Sequence, residues 1–477
     1  MSSLRFIRSA CDIVGAAHVD VGVDVAPRYL EPARYGRGSA LAVVRPATED
    51  QVAALLALAA GCDVRLIPQG AHTGLVQGAT PQDADRDVVL STDRLRGTFE
   101  IDALDATLRV SAGFRLGEIN ARLREHDLHF PIDLSADPSI GGMVATNTGG
   151  TRMMRYGDVR ANTLGLTVAL AHPAGELLRF DPPLQKNNAA VDAKHLFIGS
   201  GGAFGIVTQA VLKLHRLPRQ RAVAMVALRS IATLWPFYEA AVAAFGDAIS
   251  AFEGISGVAL DLALRHAPGV RAPFASGPPD HAVLMELSSA FGPDDLGLEP
   301  ALARFLEGEM ETGRIVDAVV GNGEALWDIR HRLGEGLRAH GDVMGFDLSF
   351  PRRAYAGFAA ESRTWLAGWC AAIQVADFGH LGDGGVHFNL VWPRGQLNSG
   401  QTTELRARLY ELVAQHGGCF SAEHGVGPHV QSAYDAHTEP NQLALATRLV
   451  AALAPRGELG TVRYAAGMRR TQDCFTT

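Results

Sequence analysis

Histidines and a carboxylate are concentrated in two short glycine-rich segments in the last quarter of the sequence. The first contains His380 and His387 on either side of an Asp-Gly pair, and the second contains Glu423 directly before His424. Two imidazoles and one carboxylate are typical ligands of a catalytic zinc ion that keeps a position open for substrate. The alternative is a pair of hydrogen-bonded histidines beside a turn, with a surface Glu-His pair. The concentration of all these groups favours the metal site.

The spacing of the first segment predicts how its histidines are brought together. Asp383-Gly384 is a strong signal for a two-residue hairpin turn. Such a turn places His380 directly opposite His387, with Cβ atoms roughly 4.5–5.5 Å apart. Asn389 follows two residues after His387, so its side chain is expected on the same face of the strand.

Three glycine-rich segments in the first half of the chain could hold a phosphorylated cofactor. They cover residues 68–75, 133–157 and 199–207. Glycine lets backbone N–H groups approach and surround an anion. None of the three has the pattern of a P-loop or of an NAD-binding loop. Three such loops in one domain nevertheless favour a large phosphorylated cofactor over chance turns.

Length and composition exclude several classes of protein. The chain has 477 residues, a formal net charge of −8 and 47% hydrophobic residues. This length suggests two or three domains. The acidic balance argues against a general nucleic-acid binder, which needs a basic face. The apolar content excludes disorder as the main state, and no apolar stretch reaches the roughly 18 residues of a membrane helix.

Cysteine usage indicates the compartment. The cysteines are odd in number, scattered and without a Cys-x-x-Cys pair, which argues against a disulfide framework or a thiolate zinc site. Arg5 and Arg8 are not followed by the sustained apolar run of a signal peptide. We therefore expect a cytoplasmic protein. The cysteines are Cys11, Cys62, Cys370, Cys419 and Cys474.

Alternating strands and helices are predicted to position the glycine-rich loops. One helix is expected to begin after Thr48, with Gln51 at the capping-box spacing, and to end at Gly61. Near Pro218 the pattern changes, which predicts a domain boundary near residue 220. Predicted strands cover residues 40–45, 64–67, 88–91, 107–111, 164–171, 220–229 and 283–288, and further predicted helices cover 116–126 and 297–312.

From about residue 42 to about residue 457 the chain resembles the FAD-linked oxidases of the vanillyl-alcohol-oxidase fold. The similarity is to the branch that contains D-2-hydroxyglutarate and D-lactate dehydrogenases. It implies an α+β protein with a two-subdomain FAD-binding domain and a cap domain built on an antiparallel sheet. The expected boundaries are 1–220 for the FAD-binding domain, 221–422 for the substrate and cap domain, and 423–477 for a C-terminal segment that returns to the FAD domain.

The resemblance also implies which residues contact FAD. In the family the first loop holds the pyrophosphate, the second lines the flavin and ribityl chain, and the third lies along the dinucleotide. Thr73 stands where some relatives have a histidine bonded to the flavin, so non-covalent FAD is expected. The expected cofactor-binding residues are Pro68, Gln69, Gly70, Ala71, His72, Thr73, Gly74, Leu75, Asp133, Leu134, Ser135, Gly141, Gly142, Thr146, Asn147, Gly149, Tyr156, Gly157, Gly205 and Ile206.

Roles for the histidine and carboxylate cluster follow from the same resemblance. A divalent metal, with zinc expected, chelates the carboxylate and 2-hydroxyl of a small substrate and lowers the pKa of the hydroxyl. His424 is the general base, and Asn389 and Arg330 match further active-site positions. The expected metal ligands are His380, His387 and Glu423.

The implied activity is FAD-dependent oxidation of a D-2-hydroxy acid to the 2-oxo acid. The electrons would pass to an acceptor such as an electron-transfer flavoprotein or a quinone, and a homodimer is expected. One alternative is a metal-free sugar or aldonolactone oxidase on the same fold, against which the metal cluster counts. Another is a degenerate protein that binds flavin without turnover.

Departures from the family pattern bear on the substrate. Gly334 and Gly345 replace a Thr and a Lys that, with an Arg, hold the far carboxylate of 2-hydroxyglutarate in relatives. These losses predict preference for a larger or less acidic D-2-hydroxy acid. The alternative is that another arginine, such as Arg332 or Arg338, restores the missing charge. Glycine also replaces a family Glu at position 201 and a family Asn at position 385, so the positions at which a glycine departs from the pattern are Gly201, Gly334, Gly345 and Gly385.

Overall fold

The computed structural model describes residues 2–292, 297–321, 323–456 and 459–465. The helices are α1 Ser2–Val14, α2 Glu49–Ala59, α3 Leu116–Leu123, α4 Ile140–Thr146, α5 Met153–Tyr156, α6 Leu234–Phe245, α7 Gly257–His266, α8 Leu298–Glu311, α9 Gly323–His340, α10 Arg352–Trp369, α11 Ser399–Gln415, α12 Gln431–His437 and α13 Pro440–Leu453. The strands are β1 Val19–Val21, β2 Ser39–Val44, β3 Arg65–Gln69, β4 Gln82–Ser91, β5 Phe99–Asp102, β6 Thr107–Ser111, β7 Leu128–His129, β8 Thr163–Leu170, β9 Leu177–Arg179, β10 Gly205–Lys213, β11 His215–Arg216, β12 Gln220–Leu228, β13 Ile249–Ser256, β14 His281–Ser289, β15 Ile315–Val320, β16 Asp342–Ser349, β17 Gln374–Val375, β18 Phe378–Gly379 and β19 Gly385–Trp392.

A four-stranded sheet in the order β1-β2-β4-β3 carries the first glycine-rich loop. Strands β2, β4 and β3 run parallel, and α2 connects β2 to β3. The helix begins as predicted, because Thr48 Oγ1 accepts the Gln51 N–H at 3.2 Å while Gln51 Oε1 accepts the Ala47 N–H at 2.7 Å. Its apolar face is buried against the sheet, and the loop starts where β3 ends.

A second, antiparallel sheet has the order β5-β6-β10-β8-β9. Its inner face packs against α3 and α4 in a continuous apolar core. The second glycine-rich segment contains α4, and the third runs into β10. Two sheets from the first half of the chain therefore bring all three loops to one region.

The third sheet has eight strands, and all of its strand pairs are antiparallel. Helices α7 and α9 pack on one face, and α6, α8, α10 and α11 pack on the other. Because side chains alternate along a strand, Phe346 and Leu348 enter the second of these cores. Gly345 and Asp347 therefore point to the α7/α9 face, near the edge of the sheet that β16 forms.

The predicted register of the hairpin around Asp383-Gly384 is wrong. His387 pairs with Phe378 rather than His380, and five residues connect β18 to β19. The Gly385 N–H donates to the His380 carbonyl at 3.0 Å, which closes this wider turn. Strand β18 also pairs with β13, and the Gly382 N–H donates to the Phe252 carbonyl at 3.1 Å. These contacts with β13 hold the turn away from a tight two-residue geometry.

Residues near the end of the described chain return to the first sheet. Leu459 forms a parallel bridge with Leu66 of β3, and the Gly460 N–H donates to the Leu66 carbonyl at 2.7 Å. Thr461 Oγ1 donates to the Gly78 carbonyl at 2.7 Å. The four described cysteines are unpaired, and Cys474 lies outside the described residues. The predicted domain boundaries at 220 and 422 stay predictions.

Candidate active site

Three side chains with metal-binding atoms converge on the α7/α9 face of the third sheet. His380, His387 and Glu423 each offer one ligand atom, and these atoms lie within 4.8 Å of one another. The two imidazole rings have centroids 5.3 Å apart, and His380 Nε2 lies 3.3 Å from Glu423 Oε1. The wider turn therefore still brings the two histidines together, although they are not opposed in the sheet.

The orientation of His380 is set by Glu253, a buried residue of β13. Nδ1 of His380 lies 2.5 Å from Glu253 Oε1, and Arg330 Nε donates to Glu253 Oε2 at 2.5 Å. Burial opposes ionisation of Glu253, but the charges of Arg330 and His380 outweigh it and lower its pKa to about 2. A histidine that ligates a metal usually gives its other ring N–H to a carboxylate. Glu253 makes that contact and leaves Nε2 of His380 for the metal side.

Asp347 of β16 organises the segment that contains Glu423 and His424. Its Oδ2 accepts the backbone N–H groups of both residues at 2.8 Å. The same carboxylate lies 3.5 Å from His424 Nδ1 and 3.7 Å from His387 Nδ1. Its Oδ1 is buried and has no hydrogen-bond partner among the described residues. An unsatisfied buried carboxylate oxygen at this place fits a site that also receives a cation or a proton.

Electrostatic coupling within the cluster is strong. Burial disfavours charge on His380, but Glu253 and Glu423 outweigh it and raise its pKa well above the ordinary value. Burial and then the charge of His380 lower the pKa of His387 to about 3. Burial likewise disfavours charge on Glu423, but His380 outweighs it and lowers the pKa of that carboxyl. The ion-free cluster therefore places one cationic histidine beside a neutral one and a carboxylate.

A second set of ligand atoms overlaps the first. Asp347, His387 and His424 also lie within 4.8 Å of one another. However, the rings of His387 and His424 are stacked, with centroids 5.7 Å apart and planes 8° apart. Within the described residues Asp347 keeps Oδ1 free, but its Oδ2 is fixed by two backbone N–H groups, whereas His380 Nε2 lies 3.3 Å from Glu423 in the first set. These contacts favour the set containing His380 and leave His424 as the imidazole beside it.

The three glycine-rich loops meet, as expected of a single cofactor site. A Cβ on Gly70 would lie 3.7 Å from the Gly142 nitrogen, and a Cβ on Gly202 would lie 3.6 Å from Pro68. The Gly199 N–H donates to the Val144 carbonyl at 3.0 Å. Because these contacts join segments from three parts of the chain, the residues present fit a large cofactor lying across them.

The cofactor loops also touch the metal cluster. The Gly150 N–H donates to Glu423 Oε1 at 3.3 Å, and a Cβ on Gly149 would lie 3.1 Å from the same oxygen. A side chain at position 149 would therefore press on Glu423. This contact places the predicted flavin-lining segment directly beside the predicted metal ligands.

Several predicted cofactor residues have structural partners of their own. Gln69 donates Nε2 to the carbonyls of Tyr29 and Ala79 at 3.1 and 2.8 Å. Asn147 Nδ2 donates to Asp158 Oδ2 at 2.8 Å. Asp133 forms an ion pair with Arg152, and the ring of Tyr156 packs on His129 and His215. The buried members of the set are Gln69, Gly141, Gly149, Gly205 and Ile206.

The remaining members of the set are at least partly exposed, and Gly74 has open space around it. Both ring nitrogens of His72 are engaged, with Nδ1 3.0 Å from the Arg28 carbonyl and Nε2 3.0 Å from Thr80 Oγ1. The partly exposed or exposed members are Pro68, Gly70, Ala71, His72, Thr73, Gly74, Leu75, Asp133, Leu134, Ser135, Gly142, Thr146, Asn147, Tyr156 and Gly157.

The predicted catalytic residues Asn389 and Arg330 lie beside the cluster. Asn389 donates Nδ2 to the carbonyls of Ala376 and His387 at 3.2 and 3.0 Å, so its Oδ1 remains to accept a hydrogen bond. Arg330 forms a hydrogen-bonded ion pair with Glu253, and its guanidinium lies over the ring of Phe378. The sequence prediction missed Glu253 and Asp347, which lie outside the motifs. A carboxylate on a buried strand was the signal that could have found them.

Two family comparisons cover most of the chain. Residues 40–181 match the family described as FAD binding domain, and residues 217–461 match FAD linked oxidases, C-terminal domain. The chain belongs to the FAD-linked oxidases. It is therefore an FAD-dependent oxidoreductase, and the predicted family and FAD cofactor are confirmed.

Curated relatives of this family are similar over most of their length. D-2-hydroxyglutarate dehydrogenase from Xanthomonas citri pv. viticola is 34% identical over 399 residues, covering 81% of this chain and 81% of the relative. The mitochondrial D-2-hydroxyglutarate dehydrogenase of Danio rerio is 31% identical over 434 residues, covering 89% of this chain and 78% of the relative. The predicted resemblance to this branch is confirmed.

Solved structures support the fold. The 4-ethylphenol oxidase from Gulosibacter chungangensis superimposes with a TM-score of 0.69 over 95% of each chain, at 16% sequence identity. The predicted α+β fold of the vanillyl-alcohol-oxidase type, with its antiparallel-sheet domain, is confirmed. Among the described helices, none combines the length and apolar character needed to cross a bilayer.

Proposed function

We propose that this FAD-dependent enzyme is a dehydrogenase that oxidises a D-2-hydroxy acid to the 2-oxo acid, with a divalent metal chelating the substrate. The names of the curated relatives support the substrate class. The observation that carries the proposal is the contact between Gly150 and Glu423, which joins the flavin-lining segment to the candidate metal ligands. Substrate held at those ligands lies next to the cofactor site.

The metal is held by His380, His387 and Glu423 in this proposal. Nitrogen and oxygen ligands suit zinc and also manganese, iron or cobalt. The ion would supply Lewis-acid polarisation of the 2-hydroxyl group. Glu253 fixes the ring of His380, and Gly150 holds one oxygen of Glu423, so the ligand side chains are ordered before substrate arrives.

His424 takes the proton of the 2-hydroxyl group. Its backbone N–H is held by Asp347, and its Nδ1 lies 3.5 Å from the same carboxylate. A carboxylate at this distance stabilises the imidazolium that forms when the ring accepts a proton. When FAD is bound, it supplies the acceptor for the hydride from C2. Asn389 and Arg330 contribute polar groups beside the substrate.

The alternatives make different demands on the same residues. A metal-free sugar oxidase would have no use for a carboxylate and two histidines whose ligand atoms converge within 4.8 Å. A degenerate flavin-binding protein would not need a carboxylate that holds Nδ1 of His380 while Nε2 of the same ring faces a second carboxylate, Glu423. The Glu253–His380 contact therefore favours a working metal enzyme.

The proposal also includes an electron acceptor, a compartment and an assembly state. An electron-transfer flavoprotein or a quinone is proposed as acceptor on the resemblance alone. A cytoplasmic location rests on the pattern of cysteines, and a homodimer on the family.

Anaerobic titration of the purified holoenzyme with D- and L-2-hydroxy acids tests the function. We expect a D-enantiomer to bleach the flavin absorbance and the L-enantiomer of the same acid to leave it unchanged. Removing metal with a chelator should abolish bleaching while FAD stays bound, and adding the metal back should restore it. Full bleaching by exhaustively metal-free protein would refute the metal, and no bleaching by any hydroxy acid would refute the dehydrogenase.

A further inference from the structure

Beyond the metal cluster, the same face of the third sheet continues to a second pair of residues. Gly345 pairs with Asn389 across β16 and β19, and the next pair on that face is Asp347 with His387. Residues two apart on a strand are separated by roughly 6.6–6.8 Å. A substrate chelated at His387 can therefore extend along this face towards Gly345.

The guanidinium of Arg34 occupies the side-chain space of Gly345. A Cβ built on Gly345 would overlap Arg34 Nη2 and would lie 3.1 Å from Arg34 Cζ and 2.9 Å from Asn389 Oδ1. Any other residue at position 345 would displace this guanidinium. The structure assigns to Arg34 the recognition of a second carboxylate, at the far end of a dicarboxylic D-2-hydroxy acid. This assignment rests on the proposed function.

The charge of Arg34 is available to a ligand. Within the described chain it forms no ion pair with a carboxylate, and its guanidinium also lies over the ring of Tyr35, with Cζ 5.3 Å from the ring centroid. By contrast, Arg330 is occupied by Glu253, and Arg332 is occupied by Glu335 and the Pro268 carbonyl. Of these three arginines, Arg34 is the one left to bind an anion.

The loop that carries Arg34 is fixed over the site. Tyr35 stacks on His429 with ring centroids 3.8 Å apart and planes 13° apart. The Tyr35 carbonyl accepts Gln77 Nε2 at 3.0 Å, and the Gly38 N–H donates to the Leu30 carbonyl at 2.7 Å. Arginine presented by such a loop binds a carboxylate with less loss of conformational freedom than one on a free segment.

A second arginine adds to the positive charge at this end. Arg406 Nη1 lies 3.3 Å from His429 Nε2, and Arg406 also forms no ion pair in the described part of the chain. The three carboxylates of the site, Glu253, Asp347 and Glu423, lie at the metal end, where each is within 4 Å of a histidine. The far end therefore has positive charge that a bound anion would balance.

The length of a five-carbon dicarboxylate matches this arrangement. Four C–C bonds of about 1.5 Å place its two carboxylate carbons about 5 Å apart when extended. The length of the dicarboxylate plus one hydrogen bond to the Arg34 guanidinium is enough to reach from the Asp347–His387 pair to the Gly345–Asn389 pair. A monocarboxylate of the same length would bring an uncharged methyl group to Arg34. The substrate is thus expected to be a dicarboxylate rather than the less acidic acid that Gly334 and Gly345 predict.

Calorimetric binding to the holoenzyme, without turnover, tests the assignment. The probes are 2-oxoglutarate and 2-oxovalerate, which share a five-carbon 2-oxo acid and differ in the second carboxylate. We expect Arg34→Ala to weaken 2-oxoglutarate roughly 10–100-fold, the range for a lost hydrogen bond to a charged group, and to change 2-oxovalerate less than about twofold. Arg34→Lys should recover part of the loss. Arg37→Ala removes a nearby exposed arginine, paired with Glu31 at 3.7 Å, and should change neither.

Kinetics separates this inference from the proposed function. With D-2-hydroxyglutarate, Arg34→Ala should raise KM with kcat nearly unchanged, because the contact is remote from the reacting carbon. Equal weakening of both probes, or wild-type enzyme that binds 2-oxovalerate as tightly as 2-oxoglutarate, would overturn the role of Arg34. Selective loss of 2-oxoglutarate binding in an enzyme whose flavin no hydroxy acid bleaches would support the anion site and refute the dehydrogenase.

Discussion

The carboxylate of Glu253 and the imidazole of His380 are buried against each other, with Nδ1 2.5 Å from Oε1. Because the carboxylate accepts a hydrogen bond from the Nδ1–H group, Nε2 is the nitrogen that faces Glu423 and His387. Glu253 of strand β13 therefore determines which ring nitrogen of His380 faces the candidate metal site. The first prediction tests this relationship.

Glu253→Gln should weaken metal binding about 10–100-fold, the usual cost of losing a carboxylate behind a metal-bound histidine. The physical reason is that a neutral amide holds the ring less firmly and makes Nε2 a weaker ligand. Metal content after dialysis, measured by mass spectrometry, reports the loss, and excess metal should restore most of the activity. Glu239→Gln, which changes an exposed carboxylate of the cap, should leave metal content unchanged. Normal metal content in Glu253→Gln would refute this role.

His424→Ala should lower turnover roughly 10²–10⁴-fold, the range for removal of a general base. The metal should remain bound, because the ligand set of His380, His387 and Glu423 is intact. His387→Ala removes the imidazole that stacks on His424 and that is itself a proposed metal ligand. This variant should instead lose the metal. Measuring kcat and metal content on the same preparations distinguishes the two roles. If metal occupancy falls in His424→Ala, then His424 is a ligand and the second candidate set is the right one.

Acid precipitation should release all of the FAD from the protein. His72 is the histidine of the first loop, and its Nδ1 donates to a carbonyl, so Nε2 accepts from the Thr80 hydroxyl. With both nitrogens engaged and Thr73 beside it, the loop offers no free imidazole for a flavin bond. Absorbance of the supernatant and of the pellet gives the result, and yellow colour retained in the pellet would contradict it. His72→Ala should still bind FAD.

Glu286→Gln should make the protein less stable at neutral pH and less sensitive to acid. Glu286 is fully buried and contacts Arg152, Arg221 and Trp327 Nε1. Burial disfavours its charge, but the two arginines outweigh burial and lower its pKa to about 2. Its contribution is therefore present above the ordinary glutamate pKa of about 4.3 and is lost as the pH falls towards 2.

Thermal unfolding from pH 7 to pH 3 measures this effect. Breaking a buried ion pair costs about 3–5 kcal/mol, so the variant should melt at a lower temperature at pH 7. The difference from the wild type should shrink below pH 4, where Glu286 begins to be protonated in the unfolded chain. A difference that stays constant with pH would mean that packing, rather than charge, explains the loss. Glu239→Gln again provides the control.

Local patterns in the sequence predicted most of the elements that carry the site. The helix after Thr48, the strand before the first glycine-rich loop and the strand beginning at residue 220 lie within one or two residues of their predicted positions. These features depend on capping, apolar periodicity and glycine, which are all local. The three glycine-rich loops were predicted one by one from their glycines, and the structure adds that they meet.

Contacts between distant segments could not be predicted in the same way. The hairpin register failed because β13, far away in the sequence, holds the turn in a wider form. Glu253 and Asp347 are carboxylates on buried strands, which is unusual, but no neighbouring residue indicates that their partners are the histidines of the site. Arg34 lies in a loop more than 300 residues from Gly345. Such pairings depend on how the sheets pack together, which local periodicity does not encode.

The pairing of Leu459 with Leu66 has a consequence for how the enzyme acquires its cofactor. Val462, three residues later, lies where a Cβ on Gly201 would be, against the third glycine-rich loop, and it also lies near Gly78. About 390 residues separate the two bridging leucines. At 5–20 residues per second, a ribosome needs roughly 20–80 s to make that interval. The loops are thus synthesised long before the segment that packs against them, so they can reach their final contacts, and bind the cofactor in the finished form, only after residues 459–462 have left the ribosome.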